Sequence, residues 1–193
     1  MRQAILVQKT DFHLPRTISL YSFLTFKSYL AILIMLGGLW AAVFLGCSTP
    51  RKGRIFMVKE LVHDPILLAR KSQTATPADL DTARDLMDTL LHHRETCVGM
   101  AANMIGVTKN IIAFQDGKDY CLMLNPEILR KAEPYETEES CLSLLGGPRT
   151  CTRYNKIKVR WQTEKFQVRL KTFEGWTAQI IQHEIDHCNG VLI

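Results

Sequence analysis

The segment Gln182-His183-Glu184-Ile185-Asp186-His187 constrains this chain more than any other. Two histidines four apart share one face of a helix a single turn from each other, close enough to grip one metal ion. Glu184 stands beside them, able to take a proton from a water at such an ion. A catalytic site of this kind needs a third protein ligand and an open fourth position. Only six residues follow His187, so the third ligand is expected from upstream, and a distant segment must fold back onto this helix. Cys188 follows His183 by five residues, which turns it about 140° from the ligand face. Cys141 is the best candidate, because it lies in the polar stretch Glu138-Glu139-Ser140-Cys141-Leu142-Ser143 between expected strands.

The rest of the chain from Met57 reads as one α+β domain. Thr76-Pro77 is a helix start, a cap followed by proline in the first turn, and Asp79 and Asp81 suit its positive end. Leu80, Ala83, Leu86, Met87, Leu90 and Leu91 then recur at helical spacing and predict one face packed on a core. Residues 110–115 and 120–125, with a turn at Asp116-Gly117, predict a hairpin. Alternation over residues 156–161 and 166–173 predicts two further strands, and a last helix is expected from near Trp176 almost to the end.

Residues 1–56 are a different kind of sequence. They hold seven of the 24 Lys/Arg but one of the 19 Asp/Glu, so the net charge of +5 belongs to this stretch and the remainder is close to neutral. The main domain therefore offers no electrostatic reason to bind nucleic acid. Residues 29–46 run eighteen positions without a charge, just long enough to span a bilayer as a helix. Three readings stay open: a membrane anchor, a signal ending at Phe44-Leu45-Gly46-Cys47, or upstream sequence before a true start at Met57. The six cysteines form no CxxC pair, and a reducing compartment is the simpler expectation.

Three stretches stand in order along residues 57–193: Val98-Gly99-Met100-Ala101-Ala102-Asn103-Met104-Ile105-Gly106, then Glu139-Ser140-Cys141-Leu142-Ser143, then Gln182 to His187. They resemble the GxGLAAxQxG, EGCLS and QHExDH motifs of peptide deformylases. The resemblance implies an α+β fold with small antiparallel sheets packed around a C-terminal metal-binding helix. It implies Cys141, His183 and His187 as ligands of one divalent metal, iron(II) or zinc, with Glu184 as the acid/base. The activity implied is metal-dependent hydrolysis of the N-formyl group from the N-terminal methionine of newly made polypeptides, with release of formate. Formyl-methionyl nascent peptides are then the substrate, with room for a ribosome contact, in the cytoplasm unless residues 29–46 hold the chain at a membrane.

The resemblance also assigns an oxyanion-binding role to the backbone N–H of Leu142 and places Gly99 in the site. The glutamine that donates the second hydrogen bond in the family is absent, and Met104 in its place cannot donate one. Asn103 carries an amide next door and is the expected substitute, with a turn-forming role as its alternative. Ser140 stands at the motif's glycine and would be strained if that position needs positive φ. Asp186 is expected either to orient a ligand imidazole or to face solvent, and Arg153 either to hold the substrate backbone or to be a surface arginine. Met100, Met104 and Ile180 are candidates for an apolar methionine pocket, and core packing accounts for such residues equally. Two other functions fit the same residues: a divergent metallo-peptidase or amidase, and a metal-loaded but catalytically idle relative.

Overall fold

A computed structural model describes residues 56–144 and 147–193. The extension with its apolar run 29–46 lies outside these residues, except Phe56. Among the described residues no helix is long and apolar enough to cross a membrane.

The chain enters through a one-turn helix α1 (Pro65–Leu68), capped by the Asp64 side chain accepting from Ile66 N–H. The expected start at Thr76 is observed, first as a 3-10 turn (Pro77–Asp79) and then as α2 (Leu80–His92). The Asp79 carboxylate accepts from both the Thr76 N–H and hydroxyl at 2.8 Å, which closes the first turn. Ala83, Leu86 and Leu90 of the periodic set are buried. Asp88 and Thr89 are buried on the same helix because they accept the backbone N–H groups of Met57 and Lys59, pinning the entering segment.

Five strands follow: β1 (Gly99–Ala101), β2 (Ile111–Asp116), β3 (Asp119–Glu139), β4 (Arg149–Gln162) and β5 (Val168–Glu174). They pair antiparallel in sequence order. The expected β2–β3 hairpin is present, closing on the Asp116↔Asp119 pair. β3, however, runs fourteen residues beyond the expected end at Asn125. Its second half is charged and exposed, so backbone pairing with β4 sustains it rather than a buried face. Register shifts after Leu124 and Ile128, together with left-handed φ at Asn125 (52°) and Glu133 (61°), mark irregularities in β3.

Alternation divides the core. Ile111, Ala113, Leu122 and Leu124 pack with Leu86 and Leu90 of α2 on one face of the sheet. Ile112, Phe114, Met123, Ile157, Val159 and Phe173 face the other way. They pack with Ala178, Ile181 and Ile185 of the last helix, α3 (Gly175–Cys188). The α+β class is as expected; the strands join in one continuous sheet, and β1, β2, β4 and β5 all touch α3. The end of β3 meets the helix carrying both histidines through Glu139, which bonds Gln179 and His183.

Candidate metal centre

α3 sets the His183 and His187 rings 4.9 Å apart between centroids, edge to face. Cys141, two residues beyond the end of β3, is buried with its Sγ 3.1 Å from His187 Nε2. One donor atom from each of the three residues lies within 4.8 Å of the others. Bonds of about 2.0–2.3 Å at a tetrahedral angle separate donor atoms by roughly 3.3–3.6 Å, so small adjustments of these side chains suffice to hold one divalent ion. The fit shows equally in what is left over. His183 Nε2, His187 Nδ1 and both oxygens of Glu184 are buried without a hydrogen-bond partner among the described residues. Orphaned polar atoms gathered this way are rare unless the site receives something they bind.

The other side of His183 is saturated. Its Nδ1 lies 2.7 Å from Oε2 of Glu139, a carboxylate only 1% exposed. Arg153 donates to both Glu139 oxygens, Nε to Oε1 at 2.8 Å and Nη2 to Oε2 at 2.7 Å, and Gln179 Nε2 donates to Oε1 at 2.9 Å. Arg153 also reaches Asp186 Oδ2 at 2.6 Å. Burial would raise the Glu139 carboxyl, but these donors hold it well below the usual carboxylate range. With Glu139 ionised, the proton on His183 belongs on Nδ1 and the Nε2 lone pair is turned toward Cys141 and His187.

The surroundings push the two imidazoles in opposite directions. Burial pushes His183 down, yet the nearby Cys141 sulfur, the hydrogen bond to Glu139 and the Glu184 charge hold it up at about 10. Burial and the His183 charge push His187 down to about 3. Glu184, 0% exposed, is pushed up to about 7 by burial, the His183 charge opposing.

Gly99 on β1 explains how Glu184 is seated. A Cβ there would lie 2.5 Å from Glu184 Oε1 and 2.7 Å from Ile180 Cγ2, so only glycine lets the strand lie against the carboxylate. Gly106 ends the same motif with φ of +82°, a left-handed turn that favours glycine.

Several expectations change. Asn103 is no oxyanion donor: its Nδ2 donates to the carbonyls of His187 (2.8 Å) and Leu68 (3.2 Å), so the amide ties α3 to the end of α1. Ser140 is not among the residues of positive φ and carries no strain there. Arg153, 5% exposed, is neither a surface arginine nor free for substrate, because Glu139 and Asp186 consume it. Asp186 orients no imidazole; it holds Arg153. Met104, Met100 and Ile180 are buried in the core, and the Met104 sulfur accepts from the Ala101 N–H at 3.5 Å. Leu142 is half-buried against the core, and no backbone acceptor among the described residues takes its N–H. Glu139 opens a sequence motif and gains its role only from the fold; its place two residues before Cys141 was the available signal. Gln179 was missed outright, although it stands four residues before His183 on one helical face.

A cysteine and two histidines around one position, with a bare carboxylate on the same helix, in an α+β frame, are the parts of a mononuclear metal-dependent hydrolase. The comparisons with known proteins narrow this. The polypeptide deformylase family model matches residues 59–193. A peptide deformylase of Clostridium beijerinckii is 50% identical over 137 residues, covering 71% of this chain and 100% of its own length. One from Pseudothermotoga lettingae is 35% identical over 142 residues, 70% of this chain and 81% of its own. Among solved structures, a peptide deformylase from Legionella pneumophila superposes with a TM-score of 0.64 at 32% identity, covering 70% of this chain and 83% of that one. The Thermotoga maritima enzyme gives 0.64 at 29% identity, covering 70% and 94%. The chain belongs to the peptide deformylase family.

Proposed function

We propose that this chain hydrolyses the N-formyl group from the terminal methionine of nascent polypeptides, releasing formate, with residues 57–193 as the catalytic unit. The observation that carries the reading is the convergence of Cys141, His183 and His187 beside a buried, unpartnered Glu184. Those three residues would hold one divalent ion, and thiolate with imidazole suits iron(II) or zinc. Once bound, the ion supplies Lewis acidity that brings the pKa of a water toward neutrality.

The chain's own groups do the rest. Glu184 accepts the proton that the water loses as its oxygen bonds to the formyl carbon, and returns it to the nitrogen as the C–N bond breaks. Atoms and charge balance as formamide plus water giving formate plus the protonated amine. The Leu142 N–H meets the negative charge that builds on the formyl oxygen. Neither Met104, which has no donor to give, nor Asn103, which spends both of its N–H bonds elsewhere, supplies a second one. Losing one such donor costs roughly 3 kcal/mol of transition-state stabilisation, about a hundredfold in rate, so a slow enzyme is expected. Its substrate is made in the cytoplasm, where the activity belongs, with the ribosome as docking partner.

Formate release from formyl-Met-Ala-Ser by the metal-loaded full-length chain tests the proposal. Glu184→Ala should keep its metal and lose turnover by a factor of about 100 or more. Cleavage of unformylated peptides would instead support a peptidase, and a metal-loaded chain that releases no formate would be an idle relative.

A further inference from the structure

The hydrogen bonds that hold His183 continue past Glu139 to the edge of the domain. Gln179, 5% exposed, lies one turn before His183 on α3 and donates from Nε2 to Glu139 Oε1 at 2.9 Å. Its other end, Oε1, accepts from the Tyr135 hydroxyl at 2.9 Å. Tyr135 sits half-buried on β3, directly opposite Arg153 in register and four residues before Glu139, so these three side chains leave the same face of the sheet. The bonds have one consistent direction. A glutamine oxygen can only accept and a carboxylate can only accept, so Tyr135 must donate to Gln179, and the amide nitrogen must then face Glu139. Reversing the amide would set its carbonyl against the carboxylate and leave the tyrosine proton without its acceptor.

We infer that Gln179 and Tyr135 are positioning residues for the metal ligand His183, acting through Glu139. Arg153 alone grips Glu139 from β4, a strand that carries no ligand. Gln179 grips it from the helix of His183 itself, so the carboxylate keeps its place relative to the imidazole when strand and helix shift against each other. Tyr135 fixes which end of Gln179 points inward. The inference rests on the metal-centre reading above.

Cobalt(II) is the probe, bound to the full-length chain and followed by its thiolate charge-transfer and d–d absorption. Removing an outer partner of a ligand histidine typically weakens metal binding about 10–100-fold. Gln179 gives one of four bonds to Glu139, so Gln179→Met should weaken cobalt binding about 3–10-fold and shift the d–d bands. Tyr135→Phe should weaken it about 2–3-fold alone and add nothing in the Gln179→Met background, because the path is already cut. A Gln179→Met protein that melts earlier yet binds cobalt with wild-type affinity and spectrum would overturn the inference. So would a double variant whose losses simply multiply. Should Gln179→Met fail to fold, Tyr135→Phe decides, and an unchanged cobalt affinity and spectrum there overturns the inference too. Wild-type protein that does not bind cobalt through Cys141 would sink the metal-centre reading, and this inference with it.

Discussion

Gly99→Ala tests how Glu184 is seated. The new methyl would lie 2.5 Å from Glu184 Oε1, 3.0 Å from its Cδ and 2.7 Å from Ile180 Cγ2. Non-bonded heavy atoms rest about 3.5–4.0 Å apart, so roughly 1 Å of movement is required. Ile180 is packed into the core between sheet and α3 and has little room. Glu184 has no hydrogen bond among the described residues to hold it, so the carboxylate yields first. The cost in stability then falls at the low end of the overpacking range, about 1 kcal/mol. The cost in rate does not, because a 1 Å misplacement of a catalytic group is worth about a hundredfold. Steady-state formate release from formyl-Met-Ala-Ser, expressed per bound metal, should fall about a hundredfold in kcat, and urea unfolding should show only the small loss. If the variant keeps kcat within about threefold of wild type, the packing of β1 does not place the carboxylate and the argument fails.

Three more outcomes follow from the same structure. Met104→Gln returns an amide donor to the first motif: if its Oε1 replaces the sulfur as acceptor of the Ala101 N–H, Nε2 is free for the reacting oxygen, and kcat should rise up to about a hundredfold; no gain would mean that position 104 does not face that oxygen. Asn103→Ala strands the carbonyl of Leu68 and removes one of the donors to that of His187, which keeps the Gly190 N–H, and should lower stability by about 1–3 kcal/mol in urea unfolding; an unchanged midpoint would show that those bonds are worthless. Asp79 is held below its ordinary 3.8, burial opposing and the Thr76 and Lys109 donors prevailing. A depressed carboxyl stabilises above its unfolded pKa and loses this as pH falls through the folded value. Asp79→Ala should thus cost about 1 kcal/mol at pH 7, the gap from wild type closing below pH 3.8; a gap that stays open in acid would refute the electrostatic part of the cap.

What the sequence made legible is what local chemistry decides. The face of α2, the β2–β3 hairpin and the four-residue spacing of His183 and His187 are periodic features that fold much as they read. The second half of β3 was not legible, because residues 126–139 are mostly exposed and interrupted by Pro126 and Pro134, and only pairing with β4 makes them a strand. The fates of Asn103 and Arg153 were hidden for a related reason. An amide beside a motif and an arginine on a strand look available until tertiary structure brings carbonyls to one and carboxylates to the other.

The two buried carboxylates nearest His183 show why such contacts matter to chemistry. Burying Glu139 and Arg153, with Asp186 partly exposed at their side, costs desolvation, and a network of this kind is tolerable only when every charge is met. Glu139 is met by Arg153 at both oxygens, by Gln179 and by His183, and stays ionised. Glu184 is as deeply buried, meets no donor among the described residues, and is pushed up to about 7. A carboxylate that cannot be protonated near neutrality can orient a ligand but cannot carry a proton; one poised near neutrality can do the second and, lacking bonds, could not do the first. Environments that drive two neighbouring acids apart in this way suit them to different roles, and the proposed mechanism uses them so: Glu139 to set the geometry of His183, Glu184 to move the proton.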